Sequence, residues 1–84
     1  MFYVYILQSL KNFDIYVGFT NDLKNRLKKH NLGKVRSTEP YKPWRLAYYE
    51  AYQSKADATK REKQLKMHAV KKELLSHLEK SLTK

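Results

Sequence analysis

Two short apolar runs, residues 2–7 and 15–20, flank a stretch that holds the turn formers Ser9, Asn12 and Asp14. Each run is short and rich in β-branched and aromatic residues, so the pair reads as two strands closing a hairpin. Strand side chains alternate between faces. Tyr3, Tyr5 and Leu7 therefore share one side of the first strand, and Phe2, Val4 and Ile6 the other. In the second strand Tyr16, Gly18 and Thr20 oppose Ile15, Val17 and Phe19. One surface is apolar, while the other carries phenols around a glycine. A glycine inside a strand signals a close approach to the backbone. A bulge or bend would also use one, and tyrosines in strands commonly serve packing alone.

Downstream of the hairpin, Thr20 or Asn21 is the expected N-cap of a helix, with Asp22 favourable at its positive end. The helix should run to about Asn31, with Gly33 as a natural C-cap. Leu23, Arg26, Leu27 and His30 fall in one stripe at 3.6 residues per turn, so an arginine and a histidine share the face that packs on the sheet. A buried charge needs a partner or a ligand; otherwise Arg26 snorkels to the edge and His30 is a satisfied imidazole. Residues 34–42 have no clear period and read as a basic, hydroxyl-bearing loop. Lys34, Arg36 and Thr38 there, with Lys24 on the outer side of the helix, are the candidate phosphate contacts.

Residues 44–52 read as a third strand, with Trp44, Leu46, Tyr48, Glu50 and Tyr52 on one face and Arg45, Ala47, Tyr49 and Ala51 on the other. Its aromatics suit either the core or base stacking. Ser54 caps the next helix, with Asp57 placed as in a capping box. From there no glycine or proline interrupts the chain. The stripes Ala58, Glu62, Leu65, Ala69 and Val70, Leu74, His77, Leu78 do not align, which predicts a break near Met67-His68. One domain over residues 1–80 is expected, with residues 81–84 fraying. Glu62 interrupts an otherwise apolar stripe; an ion pair with Lys66, one turn on, would account for it.

Eighteen Lys and Arg against eight Asp and Glu leave a net charge of +10, which favours a polyanionic partner. No segment has the interfacial pattern of a membrane-surface helix, and no apolar run is long enough to span a bilayer. The absence of cysteine excludes a disulfide framework and a thiolate zinc site. The first strand begins at Phe2, which leaves no signal-peptide pattern, so a cytoplasmic location is expected.

Tyr3-Val4-Tyr5 and Tyr16-Val17-Gly18, with ten residues between Tyr5 and Tyr16, then Arg26 and Glu62 on successive helices, resemble the GIY-YIG nuclease family. The similarity covers nearly the whole chain and is greatest to small stand-alone members. It implies an α+β fold of order ββαβαα: a three-stranded antiparallel sheet in the order 2-1-3, flanked by about three helices. It also implies a metal-dependent endonuclease of low sequence specificity acting on DNA (branched, damaged or single-stranded), in repair or recombination. In that reading Tyr16, or His30, takes the proton from the attacking water. Tyr5 orients that water, Arg26 stabilises the phosphoryl oxygens, and Glu62 holds a single Mg²⁺ or Mn²⁺. Tyr3 and Gly18 belong to the motif backbone. A phenol titrates near pH 10, which neighbouring positive charge lowers; an imidazole is the better base on physical grounds. The chain departs from the family pattern in having Tyr3 for a leading glycine and valines for isoleucines; Phe19 stands where some repair-type relatives carry a lysine, and no asparagine follows Glu62, although several relatives have one. A non-catalytic nucleic-acid-binding module of the same fold is the alternative, and an adaptor for an acidic protein a third possibility.

Overall fold

The computed structural model describes residues 1–82. Strands β1 (Phe2–Ser9) and β2 (Ile15–Thr20) form the expected antiparallel hairpin, with Tyr5 directly opposite Gly18. Strand β3 (Trp44–Tyr52) pairs antiparallel with the other edge of β1, giving the order β2-β1-β3. Helix α1 (Leu23–Asn31) follows the hairpin, and α2 (Lys55–Leu65) and α3 (His68–His77) follow β3. The result is the ββαβαα arrangement.

β1 is covered on both faces, which is why its run of apolar and aromatic residues shows no polar alternation. Val4, Ile6 and Val17 meet Ala58, Leu65 and Leu78 on one side. On the other, Tyr5, Leu7 and Trp44 pack with Tyr16, Leu23, Leu27 and Leu46. α1 thus covers the phenol-bearing face, while α2 and α3 cover the aliphatic one.

The N-cap of α1 is Asp22, not Thr20 or Asn21. Its Oδ1 accepts from the Asn25 N–H at 3.2 Å, and Thr20 instead accepts from the Asp22 N–H at 3.1 Å. At the other end Leu32 is the C-cap, and Gly33 follows it at φ 76°. Gly33 donates to the His30 carbonyl and Lys34 to that of Lys29, a Schellman closure whose left-handed position suits glycine. Ser54 caps α2 by accepting from the Asp57 N–H, and the chain breaks between α2 and α3 at the expected place.

The third strand differs from simple alternation. Ile6 pairs with Tyr48 but Leu7 with Leu46, so a bulge at Ala47 reverses the faces. Trp44 and Leu46 therefore join the α1 side, while Tyr48, Glu50 and Tyr52 lie on the face that α2 covers. The basic loop is also less open than expected. It contains a one-turn 3-10 helix at Glu39–Tyr41, and Asn31 clamps its far end by bonding both the N–H and the carbonyl of Trp44. Of the stretch expected to fray, Ser81 accepts a hydrogen bond from Arg45 and Leu82 packs on the core, whereas residues 83–84 lie outside the described ones.

Candidate active site

The hairpin register explains Gly18. A Cβ there would come within 2.3 Å of Cζ and the hydroxyl of Tyr5, so the close approach predicted from the glycine is made by a side chain of the protein itself. Tyr5 lies across the gap and is 1% exposed. Its hydroxyl is 2.9 Å from His30 Nε2 and accepts from Arg26 Nε at 3.4 Å. Tyr16, half-buried two residues before Gly18 on the same face of β2, has its ring 6.4 Å from that of Tyr5 and 5.1 Å edge-on from His30. Arg26 also interacts with Tyr16. Spacing of four on α1 aims Arg26 and His30 at the same strand residue. Four of the candidate residues therefore meet at one place.

Burial raises the pKa of the Tyr5 phenol, outweighing the hydrogen bond from Arg26 that acts to lower it. Burial, followed by the Arg26 charge, lowers His30 to about 4. His30 is wholly inaccessible, and its Nδ1 lies 2.7 Å from Thr38 Oγ1. A ring with both nitrogens engaged and no path to solvent does not reach an attacking water. The expectation that Tyr5 orients that water meets the same obstacle, because its hydroxyl is closed in.

Glu62 belongs to α2, which packs against β1 and β2, and its side chain is 21% exposed. At that exposure the carboxylate does not stand free in bulk solvent, and its charge is the weakest of the influences that raise or lower the Tyr5 phenol pKa. It also forms the expected pair with Lys66, at 3.2 Å. Among the described residues no group of three His, Asp or Glu side chains gathers as a metal cluster. That donor set does not fit a closed structural metal site. It does fit a hard divalent ion such as Mg²⁺, which takes one or two carboxylates and otherwise keeps water or meets phosphate.

The remaining candidates lie elsewhere. Tyr3 stands on the phenol face beside the exposed Tyr49, their rings edge-on at 5.9 Å; with Asn21, Asp22, Leu23 and Lys24 they line a depression of about 360 Å³. Lys24, Lys34 and Arg36 are exposed. Thr38, expected among the phosphate contacts, is the exception: it is 1% exposed and turned inward onto His30. Its hydroxyl looked available because the loop has no period. The loop nevertheless folds back, with the Trp44 indole N–H donating to the Thr38 carbonyl.

One cluster escaped the sequence altogether. The Glu50 carboxylate accepts from Tyr48 at 2.6 Å, from Tyr52 at 2.5 Å, and from Arg61 through two N–H groups at 2.9 and 3.1 Å. Burial acts against its charge, but the bonds from Arg61, Tyr48 and Tyr52 hold its carboxyl below the usual range. The available signal was a carboxylate between two tyrosines on one strand face.

Residues 1–74 match the family described as the GIY-YIG catalytic domain. A UPF0213 protein of Staphylococcus aureus (strain Mu3) is 34% identical over 73 residues, covering 86% of this chain and 88% of the relative. The similarity to a UPF0213 protein of Staphylococcus saprophyticus has the same extent, 34% over 73 residues, covering 86% and 88%. Among solved structures, the solution NMR structure of a UPF0213 protein from Bacillus halodurans superposes with a TM-score of 0.57 at 38% identity, covering 90% of this chain and 84% of that one. No described helix is long and apolar enough to cross a membrane.

Proposed function

The chain belongs to the GIY-YIG nuclease family, and on that footing we propose that it is a metal-dependent DNA endonuclease of low sequence specificity. The observation that carries this reading is the convergence, at Tyr5 of β1, of Arg26 and His30 from α1 and Tyr16 from β2. Arg26 bonds its oxygen and Tyr16 lies against its ring, while the charge of Glu62, on α2, acts on it weakly. Phosphodiester hydrolysis needs an activated water, an in-line path and charge stabilisation on the phosphoryl oxygens. Arg26 supplies a permanent positive charge in a planar donor array suited to phosphate. Tyr16, the more accessible of the two phenols, receives the proton of the attacking water. Tyr5 and His30 hold the guanidinium from behind. Glu62 would hold a single Mg²⁺ or Mn²⁺, which supplies Lewis-acid stabilisation of the phosphoryl oxygens and a more acidic water.

Lys24, Lys34 and Arg36 would meet phosphates, and contacts of that kind position a duplex without reading its bases. A surface that grips backbone discriminates by shape. Branched, damaged or single-stranded DNA, as met in repair and recombination, is therefore the substrate class proposed. The test is a nicking assay with and without Mg²⁺ or Mn²⁺. Cleavage should require the metal and fall by at least about 100-fold in folded Glu62→Gln and Arg26→Ala variants. Cleavage indifferent to both substitutions would sink the proposal.

The Glu62–Lys66 pair favours a second reading, in which the carboxylate is a surface ion-pair partner and the chain a non-catalytic DNA-binding module. That reading expects salt-sensitive binding with no cleavage under any metal.

A further inference from the structure

The hydrogen bonds around His30 form one chain running from Arg26 to the backbone of the loop after α1. Its links are Arg26 Nε to the Tyr5 hydroxyl (3.4 Å), that hydroxyl to His30 Nε2 (2.9 Å), His30 Nδ1 to Thr38 Oγ1 (2.7 Å), and Thr38 Oγ1 to the Val35 carbonyl (3.3 Å). Which way each link points follows from the partners. A guanidinium can only donate and a carbonyl can only accept. With Arg26 donating to its oxygen, the buried Tyr5 hydroxyl must send its own proton to His30 Nε2. The imidazole is neutral, so its single proton lies on Nδ1 and is donated to Thr38. The Thr38 hydroxyl proton then goes to the Val35 carbonyl. The Arg26 end sets this direction, and the Val35 carbonyl, which also accepts from the Thr38 and Glu39 N–H groups, is compatible with it.

We propose that Thr38 is a positioning residue that locks His30 in the Nδ1–H form, and that through Tyr5 this lock sets the orientation of the Arg26 guanidinium. The catalytic part of this inference rests on the nuclease reading above; the tautomer does not. An unconstrained neutral histidine favours the Nε2–H form. In that form Nε2 would donate to Tyr5, whose oxygen would face two donors while its own proton had no acceptor, and a buried unmatched donor is costly. Tyr5 would turn, and the bond that holds Arg26 Nε would go with it. Thr38 lies behind His30, away from Arg26, so it acts without touching substrate. Aligned bonds in a buried chain also polarise one another, which makes the Tyr5 oxygen a better acceptor for the guanidinium.

The experiment reads the His30 ring nitrogens by long-range ¹H–¹⁵N correlation at neutral pH in the wild-type protein and in Thr38→Val and Thr38→Ser. The wild type and Thr38→Ser should show a protonated Nδ1 and an unprotonated Nε2. Thr38→Val should shift toward the Nε2–H form. With Mg²⁺, Thr38→Val should cleave DNA about 10–100-fold more slowly, while Thr38→Ser stays within about threefold of wild type. A wild-type His30 carrying its proton on Nε2 overturns the proposal, and that spectrum needs no variant to fold. An unchanged tautomer in folded Thr38→Val overturns it as well, as does a Thr38→Ser variant as slow as Thr38→Val. Wild-type protein that cleaves nothing, yet shows the Nδ1–H form sensitive to Thr38, defeats the nuclease reading and leaves the lock standing.

Discussion

Tyr5 fills the space that a side chain at Gly18 would need, and that one exchange organises the site: a phenol can lie flat over the hairpin only where its cross-strand partner has no Cβ. The phenol then meets His30, whose burial has a consequence for stability. The folded chain keeps the ring neutral down to about 4, whereas an unfolded histidine takes up a proton near 6.5. Above that range neither state binds the proton and the full contribution is present. As pH falls from about 6.5 to about 4, the unfolded state gains a proton that the native state refuses, so stability drops. The expected loss from this group is about 3 kcal/mol, complete near pH 4. A histidine-detected NMR titration checks it: the His30 signals should stay flat through pH 6, and an ordinary imidazole midpoint would contradict the burial argument.

Among the elements, α2 is fixed on the sheet by more than apolar packing. Ala58 and Leu65 seat it on the aliphatic face, and Arg61 grips Glu50 of β3 through two N–H groups. Arg61 and Glu62 are neighbours in sequence, so the grip that sets the rotation of α2 also sets where Glu62 lies. Replacing Arg61 with Met leaves a largely buried carboxylate with only its two phenols. The expected cost is about 1–3 kcal/mol in urea unfolding, with a larger loss of metal-dependent cleavage than of DNA binding. No change in stability would show the pair to be ornamental. The elements were legible because the hairpin, the Ser54 cap and the break at Met67 are local, each written in a few adjacent residues, whereas the N-cap of α1 fell at Asp22 and the order 2-1-3 rested on the family resemblance. Arg26, His30 and Glu62 were legible as polar residues on faces that should be apolar. Thr38 and the Glu50–Arg61 grip were not. Their meaning depends on a loop folding back and on a bulge at Ala47 that reverses β3, and neither leaves a periodic trace.

For the molecule as a whole, the net charge of +10 sets what binding can look like. The longest dimension is 31 Å, which spans about nine base pairs of duplex at about 3.4 Å each, so one face can neutralise only about five phosphates. Each neutralised phosphate contributes about −0.9 to the slope of log affinity against log salt, giving a total of about −4 to −5. Raising salt from about 50 to about 200 mM should therefore weaken binding by about 10²–10³-fold, and by similar factors for unrelated sequences. The two layers allow the bound face to be located. Lys24 and Lys28 lie on α1, the layer that covers Tyr5, whereas Lys71 and Lys72 lie on α3, across the sheet. Lys24→Ala with Lys28→Ala should reduce the magnitude of the slope by about two while leaving the fold intact. The same pair of changes at Lys71 and Lys72 should leave it unchanged. Fluorescence anisotropy across a salt series measures both, and a slope that responds only to the α3 pair would put DNA against the layer remote from Tyr16 and Arg26, where those side chains could not act on it.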